Sequence, residues 1–431
     1  RLPHEHRKQL PHRGLVPHRW RLRRLLTPVS RDMTQALDGI RIIDFTQVLA
    51  GPYAVMQLAL LGAEVIKVEQ PGTGDQTRGL MNESNDNGMS PSFMTCNVNK
   101  KSLTLNLKSP DAKAILEKLV AASDVVVENF KSGTMTKLGF GYEDFRRIKP
   151  DIIYCSVSGY GQTGPKAGAA AYDGAIQASS GMMSQTGHPE TGPTRTGYMP
   201  VDMATALNTA FAVSAALLRR ERTGQGQYID LAMLDTAIVA QAAQFSNYLN
   251  AGSLVGLRGN ASPTRQPTAD VFETSDGYIQ VTALSVPQLK ALFEAIGCPE
   301  KLETPAFRNA GARIEHAVEV RACVARHLET RTTAHWLETL GGGGVPVAEI
   351  RTLPEVMTEP QLQHRGVFES IESPVTPNET VTIVKAGFIT NEDGPLLRNP
   401  PPRLGEHTNE ILEALGYTAD KIDAWHAQGI I

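Results

Sequence analysis

Asp202 opens a run of small and apolar residues in GYMPVDMATALNTAFAVSAAL, 197–217, which contains no histidine, cysteine or second acid. Two roles suit a lone aspartate there. It is a preferred helix N-cap, because its oxygen accepts from a free N–H of the first turn, and Pro200 just before it supports a helix start. It can also act alone as a covalent nucleophile. Attack by the carboxylate on a thioester gives a mixed anhydride and a thiolate, which can attack that anhydride in turn. No general base is needed, since both nucleophiles are already anions. Such a site needs an ionised acid, backbone N–H donors for the oxyanion and room for two acyl partners in turn. The small residues after Asp202, and Gly159, Gly161, Gly181 and Gly187, are consistent with close approach.

Other chemistries find little support. The β–α–β start over residues 40–69 has the spacing of a dinucleotide site. Its turn, TQVLAGPYA, carries one glycine where GxGxxG would allow pyrophosphate to approach. There is no Walker A motif, no GxSxG elbow and no HExxH. His188 is the only histidine between the first 32 residues and His316, and its loop context, QTGHPETG, reads as a solvated side chain. Cys96, Cys155, Cys298 and Cys323 show no CxxC or zinc spacing, so a reducing compartment and no metal site are expected.

The elements that must hold these residues alternate. IRIIDF (40–45), AEVIKVE (63–69), SLTLNL (102–107), DVVVEN (124–129) and DIIYCSVSG (151–159) read as buried strands. GPYAVMQLALLG (51–62) and SPDAKAILEKLVAAS (109–123) read as helices. Strands separated by helices imply a parallel sheet with covered faces. A helix over 204–218 and a second helical region over 230–250 follow. DGYIQVTAL (276–284), with helices near 286–297 and 313–340, suggests a smaller α+β unit. GGGG (341–344) breaks the pattern and reads as a linker, strands recur near 366–371 and 380–384, and PPPRLGEHTNEILEAL (400–415) approaches a C-terminal helix.

The 431 residues are 41% hydrophobic and 20% charged, with a formal net charge of −3. That is a globular composition long enough for two or three domains, and no global field favours nucleic acid or an anionic membrane. No apolar run of about 18 residues is apparent, so no transmembrane helix is expected. Residues 1–32 are rich in Arg and His and nearly free of acids. They read as an extraneous or disordered leader, with Met33 as the natural start and a cytoplasmic location. A transit peptide, and hence a mitochondrial matrix location, is the alternative.

The blocks just described carry a resemblance. LDGIRIIDFTQVLAGPYAVMQLALLGAEVIKVEQPGTGDQTRG, NKKSLTLNLK, DVVVENFKSGTMTKLGFGYEDF, IIYCSVSGYGQTGP, RRERTGQGQYIDLAMLD and RLGEHTNEIL, in that order, resemble the class III CoA-transferases from about Leu37 to the C-terminus. That family includes formyl-CoA transferase and carnitine CoA-transferase. The resemblance implies an α/β fold: a Rossmann-like large domain with an inserted smaller α+β domain, in a ring-like subunit interlocked in a homodimer. The implied domains are 36–225 (large, first part), 226–350 (linker and small domain) and 351–431 (return to the large domain), with the site where subunits and domains meet.

The family's nucleophile matches Asp202. Leu49 and Ala50 match the loop that lines the CoA thioester, although formyl-CoA transferase has glutamine where Leu49 stands. Leu105 to Lys108 and Asn129, Phe130 and Lys131 match segments around adenosine and pantetheine. Lys137 replaces an arginine near the CoA phosphates, keeping charge but losing the bidentate fork. Ala170 replaces a lysine and Gln70 an arginine. Asp173 reads as a second active-site acid or as the N-cap of a helix over GAIQASSGMM. CoA thioester enters as substrate, so no separate cofactor is expected, and the implied partners are an acyl-CoA, a small carboxylic acid and a second copy of the chain.

The family also holds α-methylacyl-CoA racemases, which need a second acid/base to move the α-proton between faces. Where they carry histidine before an aspartate, this chain has Tyr172 before Asp173. A tyrosine, with a reference pKa about 10, is a poor base at neutral pH, which favours transfer over racemisation. A CoA-binding protein without turnover is a third reading. The VLAGP and GYGQTGP segments resemble members that use succinyl-CoA and a dicarboxylic acceptor. For the distal carboxylate, Arg195, Arg258 and Arg265 are equal candidates.

Overall fold

The computed structural model describes residues 35–80, 89–376 and 378–431. The leader at 1–32 lies outside them. β1 (Arg41–Asp44) leads into α1 (Ala50–Leu60), then β2 (Glu64–Glu69), β3 (Lys100–Thr104), α2 (Pro110–Ala121), β4 (Val125–Glu128) and β5 (Ile153–Ser158). After α3 (Asp173–Ser179) and the short pair β6 (Gly187–His188) and β7 (Gly192–Pro193) come α4 (Pro200–Thr223) and β8 (Gln227–Ala232).

Six of these strands form one sheet in the order β3-β2-β1-β4-β5-β8, with every pairing parallel. This is a doubly wound order that reverses between β1 and β4. Side chains alternate across the strands. Ile42, Val65, Val125 and Ile153 face α1 (Val55, Leu58) and α4 (Val213, Ala216, Leu217). Ile43, Ile66, Leu103 and Val126 face α2 (Ile115, Leu116, Leu119). Both faces are covered, which is why the strands read as nearly continuous apolar runs.

A second set of elements follows: β9 (Ala269–Glu273), β10 (Tyr278–Thr282), α5 (Val286–Ala295), α6 (Ala317–Leu328), α7 (Thr333–Gly342) and β11 (Val347–Glu349). Its antiparallel sheet, β11-β10-β9, packs with these helices around Phe272, Phe293, Phe307 and Trp336. β12 (Phe368–Glu372) and β13 (Thr380–Val384) form a hairpin whose Val381 and Ile383 pack with Tyr53 and Met56 of α1. α8 (Thr408–Ala414) and α9 (Ala419–Ala427) place Leu412 and Trp425 in the α2-side cluster of the six-stranded sheet.

Four expectations change. The helix read over 230–250 begins as strand β8, because Gln227–Ala232 pairs in register with Ile153–Ser158 and only the chain beyond Met233 turns helical. The strand read over 102–107 ends at Thr104. The helix read over 313–340 divides into three, at His316 and before Thr333. Finally, α4 is 24 residues long and, by length and composition, apolar enough to cross a membrane, contrary to expectation. One face of it packs on the sheet through Val213, Ala216 and Leu217, while Leu207, Phe211 and Leu218 on the same helix are exposed.

β8 reaches its partner only through Gly226. A Cβ there would stand 2.1 Å from the Ile152 carbonyl oxygen and 2.5 Å from Asp151 backbone atoms. These are backbone atoms, which cannot swing aside as a side chain could. Gly226→Ala is therefore expected to lower stability by about 1–3 kcal/mol, as overpacking does, with the loss read from urea unfolding midpoints.

Candidate active site

In a doubly wound sheet, ligands bind beyond the carboxyl ends of the strands where the strand order reverses. A cavity of about 340 Å³ lies at that place. Residues 47–50 after β1, 129–132 after β4, 157–161 at and beyond the end of β5 and Met233 after β8 line it, together with 168–172 and Asp202.

The loop after β1 is held from below by buried charges. Asp44 pairs with Lys100 at 2.8 Å and Lys67 with Asp75 at 2.9 Å, all four side chains being out of reach of water. Thr46 donates its N–H and its hydroxyl to Asp44 Oδ1, and Lys67 Nζ donates to the Thr46 carbonyl at 2.6 Å. Burial pushes Asp44 up, but Lys100 and Lys67 overcome it and hold its carboxyl below the usual range. The next residues are clamped from the side. Asn129 accepts from Gln47 N and donates to Gln47 O, each at 2.8 Å. Asp75 Oδ1 accepts from Val48 N at 3.3 Å.

Val48 has φ +71, an uncommon conformation for a β-branched residue and one that persists only where the surroundings over-determine it. The turn it makes starts α1 at Ala50, capped at Leu49 with no side-chain cap bond. The first N–H groups of any helix have no intrahelical partner. Leu49 and Ala50 thus bring a helix N-terminus, with its partial positive charge, to the cavity that Asp202 lines.

Asp202 is not the N-cap of its helix. α4 is capped by Met199 and has Pro200 and Val201 before Asp202 in its first turn. The capping bonds come from Asp173, whose Oδ2 accepts from Val201 N at 2.8 Å and Asp202 N at 3.2 Å, while Oδ1 accepts from Gln177. Asp173 is 6% exposed, accepts from these three donors and does not line the cavity. This frees the Asp202 carboxylate from the capping role. Burial, and then the neighbouring Asp173 charge, push the Asp202 carboxyl up to about 6.

The chain matches the family model CoA-transferase family III over residues 37–408. It belongs to that family. It is 37% identical over 404 residues to the succinyl-CoA:glutarate CoA-transferase of Mus musculus, covering 93% of this chain and 91% of that protein. It is 35% identical over 384 residues to the succinate–glutarate CoA-transferase of Agrobacterium fabrum, covering 88% and 95%. Among solved structures, a CAIB/BAIF family protein from Brucella suis superposes with a TM-score of 0.79 at 33% identity, covering 89% of this chain and all of that one.

For this class III CoA-transferase, the structure brings together Leu49, Ala50, Asn129, Phe130, Lys131, Tyr172 and Asp202 around one cavity. Tyr172 is 69% exposed at its edge. Leu105 lies in the core, Lys108 and Lys137 are exposed, and none of these three lines the cavity. Nor do the three arginines: Arg195 is exposed with its side chain over Gly174, Arg258 is half-buried with an unpartnered Nε, and Arg265 is exposed. Sequence reading missed Lys67, Asp75, Lys100 and Val48. A lysine inside each of the strands EVIKVE and KKSLT was the available signal, since lysine is almost never fully buried unless paired.

The raised Asp202 pKa has a stability consequence. Its folded value is about 6 against 3.8 unperturbed, so ionising it opposes folding. That component of stability is complete below about pH 4 and is lost as pH rises through 6. Asp202→Asn is expected to be more stable than the parent at pH 8, by up to about 3 kcal/mol for two pK units. The advantage shrinks toward zero near pH 4, as read from urea midpoints at both pH values.

Proposed function

We propose that this CoA-transferase moves CoA from succinyl-CoA to a free dicarboxylic acid, with Asp202 as the covalent acyl acceptor. The observation that carries the reading is that Asp202 is the only carboxylate among the described residues lining the switch-point cavity. Succinyl-CoA as donor rests on relatives whose names pair it with glutarate and, in Haloarcula marismortui at 35% identity, with mesaconate.

The Asp202 carboxylate attacks the thioester carbonyl, the C–S bond breaks, and succinyl-aspartyl anhydride and CoA thiolate result. The thiolate attacks the aspartyl carbonyl and expels succinate, leaving an aspartyl-CoA thioester. The acceptor carboxylate attacks that thioester, giving a new anhydride and thiolate. Attack of the thiolate on the acceptor's acyl carbonyl releases the new acyl-CoA and regenerates Asp202. Each tetrahedral intermediate carries an oxyanion, and the N–H groups at the start of α1 are the donors for it. The α1 end is aimed by the buried ion pairs, so the donors require no reorganisation as charge develops.

Leu49, Ala50, Asn129, Phe130 and Lys131 serve the pantetheine and thioester end in this reading. Racemisation is disfavoured because the acid that follows Tyr172 is committed to capping α4. The subunit forms an interlocked homodimer, with the 226–350 segment as an inserted domain. The exposed Leu207, Phe211 and Leu218 of α4 support a partner on that face.

The test incubates the protein with succinyl-CoA and a panel of dicarboxylic acids and follows new acyl-CoA by mass. Asp202→Asn and Asp202→Ala are expected to lose at least about 10³-fold in kcat/KM, the scale of removing a covalent nucleophile. Transfer surviving in Asp202→Ala would overturn the covalent aspartate. A second outcome concerns pH. The nucleophile must be ionised, so kcat/KM is expected to be level above about pH 6 and to fall tenfold per unit below it.

A further inference from the structure

Among the described residues, one group of metal-ligating side chains stands outside the Asp202 cavity. Cys298, Cys323 and His327 each offer one ligand atom, and the three atoms lie within 4.8 Å of one another. The sequence, with the two cysteines 25 positions apart, showed nothing of this. The fold builds it in two steps. α5 is terminated by Gly297 at φ +75, and the chain doubles back so that Cys298 N donates to Phe293 O at 2.9 Å. That turn places Cys298, 6% exposed, against α6. On α6, Cys323 and His327 are four residues apart and therefore share a face. Val320, Val324 and Leu328 anchor the same helix in the core beneath.

One contact pre-arranges the group. The His327 Nδ1 lies 2.7 Å from the Cys323 carbonyl oxygen. Donation from Nδ1 to that carbonyl fixes the neutral tautomer and leaves the other ring nitrogen with a free lone pair, as in metal-ligating histidines generally.

We infer that Cys298, Cys323 and His327 form a binding site for a thiophilic divalent cation of the zinc class. Two thiolates and one imidazole suit that class by donor softness. With Zn–S about 2.3 Å and Zn–N about 2.0 Å, tetrahedral ligand atoms stand about 3.5–3.8 Å apart. Closing from 4.8 Å takes side-chain adjustment of about 1 Å. Binding exchanges two thiol protons for one divalent cation, so the bound group is neutral, which suits its half-buried position. Water is available for the fourth position and keeps the group neutral. The cation would tie the turn after α5 to the middle of α6, a role independent of transfer chemistry at Asp202.

Cobalt(II) serves as the optical probe, added to the full-length chain under a phosphine reductant and without CoA, whose own thiol would compete. One equivalent per chain is expected to give thiolate-to-cobalt charge-transfer absorption and tetrahedral d–d bands, both bleached by zinc(II). Cys298→Ser and Cys323→Ser are expected to lose the charge-transfer absorption. His327→Gln, on a half-buried position that tolerates the change, is expected to keep it with at least tenfold weaker affinity. Succinyl-CoA transfer is expected to be the same in all three variants, which also shows that they fold. The inference is overturned if the parent gives no such bands at one equivalent or if Cys298→Ser retains them undiminished.

Discussion

Two lysines sealed from water, Lys67 and Lys100, decide where the chain goes after β1. A buried charge costs several kcal/mol unless it is paired and hydrogen-bonded. Lys100 is met by Asp44, the Pro52 carbonyl and Asn97; Lys67 is met by Asp75 and the Thr46 carbonyl. These partners come from β1 and the residues just after it, from the start of α1, from the loop after β2 and from the helix Pro91–Asn97 that precedes β3. None can leave without stranding a charge, so the network holds or fails as a unit. What it holds is the turn through Val48, which ends with the first N–H groups of α1 at the switch point of the sheet.

The start of α4 shows how two adjacent acids take different work. Asp173 is buried and accepts from three donors, two of them the first N–H groups of α4. Asp202, one hydrogen bond away along the backbone, has its N–H taken by Asp173 and its carboxylate left at the cavity. The helix N-terminus favours its charge, yet burial and the Asp173 charge outweigh that and bring its pKa to about 6. The carboxylate is still mostly ionised at neutral pH. The same arrangement makes the site a local cost to stability, a common feature of functional sites.

The strands of the six-stranded sheet were legible because a parallel strand covered on both faces must be apolar along its length. β8 was not, because as an edge strand its residues from Gln227 to Asp230 alternate between half-buried and exposed, and the tract merges with an apolar helix at Met233. Asp202 was legible as a residue of interest, but its cap reading failed. A capping carboxylate can come from anywhere in the chain, and here Asp173 arrives from 29 residues away. Lys67 and Lys100 went unnoticed because periodicity marks which face a residue takes, not which charge waits for it there.

By itself the sequence determined the family and the parallel α/β class and singled out Asp202 as the candidate, because those are carried by residue type and order. Only the tertiary structure decided that Asp173 caps α4 and so leaves the Asp202 carboxylate free. It also set the left-handed turn at Val48 between buried ion pairs, and it gathered Cys298, Cys323 and His327 at one point. The physical reason is common to all three: charges, capping bonds and ligand sets are satisfied through space, between residues that the chain keeps far apart.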